Sequence, residues 1–303
     1  MIRIVCTECN MVRIIRLTEE FELPPQGTFV DKFGTIVDDD CDCYKPDGSI
    51  LFKFRKGVIP QEQATHATKV FKSHAKKKND NRGYASGLLP GGKAKQKDAR
   101  GMSRGNISQS QIAGYYDKPM MQHKKHLGTD VACRTTAFNK HKGDLFGTTV
   151  PFFKTISDTY KELAPEHYGR QEEYIEGVIP EMKIHDTAFT TITLNYNWRT
   201  ACHYDAGDFD KGLGNLTVVG DDKYEGGCTG FPRYNVGVNL RNRDVVIMDV
   251  HEMHCNTAIT PLGDTPLGER LSFVCYVRKN MARCTQNIKE IGNFTYYTTN
   301  PHS

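Results

Sequence analysis

The chain has 303 residues, 38% of them hydrophobic and 10% aromatic, which is enough to bury a core and excludes intrinsic disorder. Its formal net charge of +4 is too small to argue for nucleic acid by itself. No apolar run reaches the roughly 18 residues of a membrane span, and Met1-Ile2-Arg3-Ile4-Val5-Cys6 lacks the layout of a signal peptide. Ten cysteines in that context predict reduced thiols and a soluble, intracellular protein of the cytoplasm or nucleus.

Residues 1 to about 60 alternate short apolar runs with turns (Ile2 to Val5, Val12 to Leu17, Ile50 to Phe54), which predicts strands and hairpins. Cys6-x-x-Cys9 with Cys41-x-Cys43 offers four thiolates that could hold zinc, although the second spacing is uncommon for a zinc knuckle. Residues 74–107 are rich in Gly, Lys and Arg without an apolar period and predict a long, mobile, basic loop. Pro151 to Leu163 predicts a helix, with Phe153, Ile156, Tyr160 and Leu163 at helical spacing. From residue 188 the period becomes two. Runs 188–196, 215–219, 234–240, 245–250 and 271–277 read as short strands separated by turn residues. The expected fold is mainly β with flanking helices, a jelly roll. With no internal repeat or clean linker, residues 1–303 read as one domain, 1–187 supporting a core at 188–280.

Chemistry concentrates in that core. His203 and Asp205 are two apart, so on an extended backbone they face the same side. His254 follows another β-run and completes a two-histidine, one-carboxylate set, the facial triad of a non-haem Fe(II) site. His251 is a rival, but the spacing to Arg270 favours His254. Along 270–278, Arg270, Ser272, Val274, Tyr276 and Arg278 share one face, and Leu271, Phe273, Cys275 and Val277 the other. A cation, a hydroxyl and an aromatic on one face need partners if buried, which points to a site. A fixed arginine grips a carboxylate bidentately, as a dicarboxylate co-substrate requires.

Thr191 to Asn195, His203-Tyr-Asp-Ala-Gly-Asp208, His254-Cys-Asn256 and Arg270-Leu-Ser272 with Tyr276 resemble the TET/JBP branch of the 2-oxoglutarate dioxygenases. The overlap is strongest over about 188–280. It is fainter through Asn81-Arg82-Gly83 and Cys133-Arg134-Thr135. The resemblance implies a double-stranded β-helix dioxygenase core that uses Fe(II), 2-oxoglutarate and O2. It implies iron on His203, Asp205 and His254, and 2-oxoglutarate on Arg270 and Ser272, with Asn195 a further co-substrate residue. It implies Tyr276 stacked on an extruded base, with Asp208 and Arg278 near that base and Arg134 at co-substrate or substrate. Asp208 stands where TET enzymes place an asparagine and Arg278 where they place a histidine, so the preferred base stays open. Arg270 and Ser272 favour 2-oxoglutarate over the ascorbate of an algal branch. The implied activity is oxidation of the 5-methyl of a pyrimidine in nucleic acid, 5-methylcytosine or thymine. The partner is DNA, single- or double-stranded, with RNA also open, and the basic run 74–107 with His123-Lys124-Lys125-His126 would face phosphates. A hydroxylase of peptide side chains or small metabolites is the alternative on the same scaffold.

Overall fold

The computed structural model describes residues 3–5, 12–88, 107–127 and 132–299. Cys6 and Cys9 of the possible zinc set lie outside them, as do Lys93, Lys95, Lys97, Arg100 and Arg104 of the basic run. The chain forms two compact units. One comprises Met1–Gln111, Leu194–Ala206 and Leu216–Phe273, the other Ile112–Thr193, Gly207–Asn215 and Val274–Ser303. The architecture is mainly β with flanking helices, as the alternating pattern implied. Among the described residues no helix is long and apolar enough to cross a membrane.

In the first unit, strands Arg3–Val5, Arg13–Arg16, Cys41–Tyr44, Ile50–Arg55 and Val245–Met248 lie side by side in that order. Period-two alternation turns Ile15, Cys41, Cys43, Phe52 and Phe54 inward, all fully buried. Burial pushes the Cys41 thiol up to about 12 and raises Cys43 further, so both behave as apolar packing groups. A second sheet orders Cys255–Asn256, Thr229–Phe231, Val236–Val238 and Thr35–Val37. Helix Gln61–Ala75 was not expected from the sequence. It buries Ala64, Ala67, Val70, Phe71, His74 and Ala75 along one stripe. The predicted basic loop is therefore helical at its start, and Gly83–Ser86 is a 3-10 turn.

In the second unit, helix Val150–Leu163 forms as the spacing predicted. Phe153, Ile156, Tyr160 and Leu163 are buried, and Pro151 stands in the first turn, where it costs no hydrogen bond. Helices Ala137–Gly147 and Pro165–Glu176 flank it in the chain. Strands Ser110–Tyr116, Ala132–Thr135, Phe294–Thr299 and Cys284–Ile291 are neighbours in that order. Here the expectation of uniformly reduced thiols is corrected. Cys133 and Cys284 form a disulfide, their Cα atoms 6.0 Å apart, within the normal range. Cys41, Cys43, Cys202, Cys228, Cys255 and Cys275 are free and buried.

Candidate metal centre and substrate residues

His203 and His254 face each other across an isolated antiparallel bridge, each N–H donating to the other's carbonyl at 3.0 Å. Directly opposed residues project to one face of the ribbon. Asp205 returns to that face two residues on, and its N–H donates to the Val250 carbonyl at 3.1 Å. One ligand atom from each of His203, Asp205 and His254 lies within 4.8 Å of the others. Asp205 Oδ1 is 3.7 Å from His203 Nε2, and Oδ2 is 3.6 Å from His254 Nε2.

The imidazoles are pre-set for a metal. Nδ1 of His203 donates to the Ala201 carbonyl at 2.8 Å and Nδ1 of His254 to the Glu252 carbonyl at 3.0 Å. A carbonyl can only accept, so the proton sits on Nδ1 and the Nε2 lone pair faces the cluster. Burial, reinforced by His254, pushes the His203 imidazole down to about 4 and keeps it neutral. Burial alone would raise Asp205. The neighbouring imidazoles of His254 and His203, with the Arg82 charge, instead hold it well below the carboxylate range. His254 is raised, because Asp205 outweighs the effect of burial. One anion and two nitrogen donors are a set that suits Fe(II). The Asp205 side chain is 31% exposed and that of His254 only 7%, so the cluster opens on the carboxylate side.

The backbone around the cluster is held from outside. Gly27 N–H donates to the Cys202 carbonyl and Cys202 N–H to the Thr28 carbonyl, both at 2.8 Å. Cys202, Met253 and Cys255 pack together with Leu23, Val30, Phe33 and Tyr204. His251 is not one of the three converging groups, and its N–H caps Asp249 Oδ1 at 2.9 Å. Arg82, which the sequence placed in the basic run and in the fainter likeness at Asn81-Arg82-Gly83, is a further site group. Its charge acts on both His203 and Asp205. Its place in Asn81-Arg82-Gly83 was the available signal.

Arg270, Ser272 and Asn195 form a second corner of the same unit. Arg270 is 3% exposed, its Nη2 donates to the Gly227 carbonyl at 3.1 Å, and its buried Nε has no hydrogen-bond partner among the described residues. No carboxylate pairs with it among the described residues, and burial lowers its pKa. Gly227 has φ +68° and a Cβ there would press on Arg270 Nε at 3.1 Å, so glycine gives the guanidinium its room. Ser110 Oγ donates to Asn195 Oδ1 at 2.6 Å, which turns Asn195 Nδ2 towards Ser272 Oγ at 3.3 Å. Ser272 thus accepts from Asn195 and keeps its own O–H to donate elsewhere. A buried cation with an orphaned donor and a hydroxyl with a spare proton is a cradle for a carboxylate.

The remaining candidates belong to the second unit. Tyr276 Oη and Thr193 Oγ1 are 3.1 Å apart. Arg278 Nε donates to Asp117 Oδ1 at 3.0 Å, and its Nη1 lies 3.9 Å from Asp208 Oδ1. Asn280 Nδ2 donates to the other Asp117 oxygen at 3.0 Å. Asp208 and Arg278 are bridge partners, and a Cβ at Gly207 would collide with the Arg278 guanidinium. The Gly-Asp of the histidine motif is therefore a seat for Arg278. Asp117 had no signal in the sequence, and Thr193 stood in the Thr191 to Asn195 likeness without a role. Arg134 is 7% exposed and lies with Arg278 at the ring of Tyr116.

A mainly β scaffold carrying two imidazoles and a carboxylate within ligating reach defines a class, the mononuclear non-haem iron oxygenases. The chain belongs to the Tet_JBP family, the oxygenase domain of the 2OGFeDO superfamily, which matches residues 111–279. The cofactors of that superfamily are Fe(II) and 2-oxoglutarate. Among similar proteins, thymine dioxygenase JBP1 of Crithidia fasciculata is 32% identical over 194 residues, 64% of this chain and 23% of that protein. The bifunctional helicase and thymine dioxygenase JBP2 of Leishmania major is 30% identical over 234 residues, 77% of this chain and 18% of that protein. The chain thus spans about a fifth of the length of these relatives. Among solved structures, NgTET1 in complex with 5mC DNA aligns with TM-score 0.56 at 16% identity, over 83% of this chain and 81% of that one. That likeness gives the fold, a jelly-roll dioxygenase core.

Proposed function

We propose that the chain is an Fe(II)/2-oxoglutarate dioxygenase that oxidises the 5-methyl group of a pyrimidine in DNA, acting as one dioxygenase domain. Thymine is the first base to test, because the relatives are thymine dioxygenases, and 5-methylcytosine is the second. The observation that carries the reading is the convergence of His203, Asp205 and His254 within 4.8 Å in a chain of this family.

The residues divide the work. His203, Asp205 and His254 would hold iron through Nε2, a carboxylate oxygen and Nε2. Arg270 would take the far carboxylate of 2-oxoglutarate on its spare donors, Ser272 would donate its free O–H to it, and Asn195 would keep Ser272 turned that way. When bound, the iron couples oxidative decarboxylation of 2-oxoglutarate, giving succinate and CO2, to insertion of one oxygen atom into a methyl C–H. Tyr276 would stack on the extruded base, its ring fixed by Thr193. Asp208 would accept from a base N–H and Arg278 would donate to a base oxygen or nitrogen, with Asp117 holding the guanidinium in place. RNA and single strands are further substrates to compare, because no long helix among the described residues is set out to read a duplex.

The test is an oligonucleotide carrying thymine and 5-methylcytosine, incubated with iron-loaded protein, 2-oxoglutarate and air, with nucleosides read by mass spectrometry. Gain of one oxygen on either base, lost in His203→Ala, is the expected result and ranks the two bases. Succinate without a base product would overturn the nucleic-acid substrate and move the search to peptides and metabolites.

A further inference from the structure

The pairing registers of the second unit place four side chains in one row across four strands. Tyr116 is opposite Arg134, Arg134 opposite Tyr296, and Tyr296 opposite Lys289. Directly paired residues share a face, so the row alternates aromatic and cation. Arg278 adds another guanidinium, 4.9 Å from the Tyr116 ring centroid, against 5.5 Å for Arg134. The far end of the row lies beyond the family match, which stops at residue 279. Strands Cys284–Ile291 and Phe294–Thr299 follow the matched segment in the chain.

The buried charges of this unit are not equivalent. Arg278 has Asp117 and Asp208. Arg134 has no carboxylate among the described residues. Its Nε donates to the Lys118 carbonyl at 3.0 Å, its Nη1 reaches the Thr135 carbonyl at 3.5 Å, and its Nη2 has no partner there. A guanidinium 7% exposed and lacking a counter-anion is costly unless an anion arrives. The only acidic residue of the hairpin, Glu290, pairs with Thr295 and so faces the opposite side from Tyr296.

The surroundings are cationic. Residues 118–127 and 137–142 contain Lys118, Lys124, Lys125, Lys140 and Lys142 with three histidines and no acid. All five lysines, and Lys289, are exposed. Lys289 and Lys140 are held in place rather than trailing. His123 Nδ1 and Tyr296 Oη are 2.6 Å apart, Lys289 Nζ donates to the His126 carbonyl at 2.5 Å, and Lys140 Nζ lies 4.4 Å from the Phe294 ring centroid.

We propose that Arg134 is a phosphate anchor for the strand that carries the target pyrimidine, and that Lys124, Lys125, Lys140 and Lys289, set around the C-terminal hairpin, form the track for its neighbouring phosphates. A phosphodiester fits because it brings a fixed anion to a guanidinium that already has two donors committed, and further anions at regular intervals to exposed lysines. The inference rests on the nucleic-acid reading above and adds to it a subsite on residues outside the metal centre. It also assigns a role to the hairpin, which the family match does not include.

The experiment uses the full chain and a set of labelled single-stranded oligonucleotides, each with one target thymine and one uncharged methylphosphonate linkage moved along the strand. In the unaltered protein, one linkage near the target weakens binding about tenfold when neutralised, as loss of one charge-assisted contact does. Arg134→Gln binds the charged strand about tenfold more weakly and becomes indifferent to neutralisation at that same linkage. If Arg134→Gln stays as sensitive there as the unaltered protein, the anchor is overturned. Should Arg134→Gln fail to fold, the exposed variants Lys125→Gln and Lys289→Gln decide, each flattening the dependence of log K on log salt by about one. Unchanged slopes in both overturn the track. A protein that binds no oligonucleotide and makes no hydroxymethyl base defeats the nucleic-acid reading itself. One that binds and oxidises DNA with a featureless linkage scan defeats only the subsite.

Discussion

The Arg270 corner and the Arg278 cluster handle the same problem, a guanidinium taken out of water, in opposite ways. Arg270 is 3% exposed with an orphaned Nε and no carboxylate among the described residues. Arg278 is 9% exposed and is held by Asp117, which is fully buried and also engaged by Asn280. The first corner keeps unspent hydrogen-bonding capacity and is unfavourable until a ligand fills it. The second is satisfied from within and offers a shape already set. Spare capacity marks a place that receives a charged ligand. Internal satisfaction marks a place that reads one.

The largest expected effect breaks the receiving side outright. His203→Ala removes one of three converging ligands, and the tautomer-fixing bond on His254 cannot replace it. Iron no longer binds at one equivalent, and succinate formation falls to background, read by metal analysis and product assay. Retained stoichiometric iron in this variant would mean that the metal sits elsewhere.

Next, Asp117→Asn acts on the satisfied side. It leaves Arg278 with the 3.9 Å contact to Asp208 as its one carboxylate among the described residues, so unfolding in urea should show a loss of about 3 kcal/mol, the cost of stranding a buried charge. Arg270→Met is the contrasting change. With no ion pair to break, it should leave stability unchanged or slightly higher, while the KM for 2-oxoglutarate rises about a hundredfold. A destabilised Arg270→Met with normal KM would reverse the assignment of the two corners.

How much of this was legible in the sequence follows from where the signal lies. The metal set was readable because His203-x-Asp205 follows a β-run and the Arg270 strand alternates, core residues on one face and Arg270, Ser272 and Tyr276 on the other. Helix Gln61–Ala75 was missed because half of its buried stripe is alanine and one member is histidine, too weakly apolar to stand out by period. The Cys133–Cys284 bond closes a separation of 151 residues, and no local pattern encodes such a pairing. Asp117 was invisible for the same reason: its partner Arg278 is 161 positions away, and an isolated Asp after two tyrosines carries no motif. Receiving sites advertise themselves through unusual residue types. The groups that order a reading site are ordinary residues, given their role by the fold.

The smallest predicted effect tests whether that ordering matters to binding. Tyr276 is buried, and its hydroxyl has Thr193 Oγ1 at 3.1 Å. Thr193→Val keeps the shape of the threonine side chain and removes its oxygen, so the ring stays packed but loses the link that fixes its position. A hydrogen bond of this kind is worth about 1 kcal/mol net, so the KM for the oligonucleotide should rise about fivefold. The KM for 2-oxoglutarate should stay where it is, because Arg270 and Ser272 make no use of Thr193. A change in the co-substrate constant instead would show that Thr193 serves the receiving corner. No change in either would show that packing alone holds Tyr276, and that the cluster is ordered by shape and not by its hydrogen bonds.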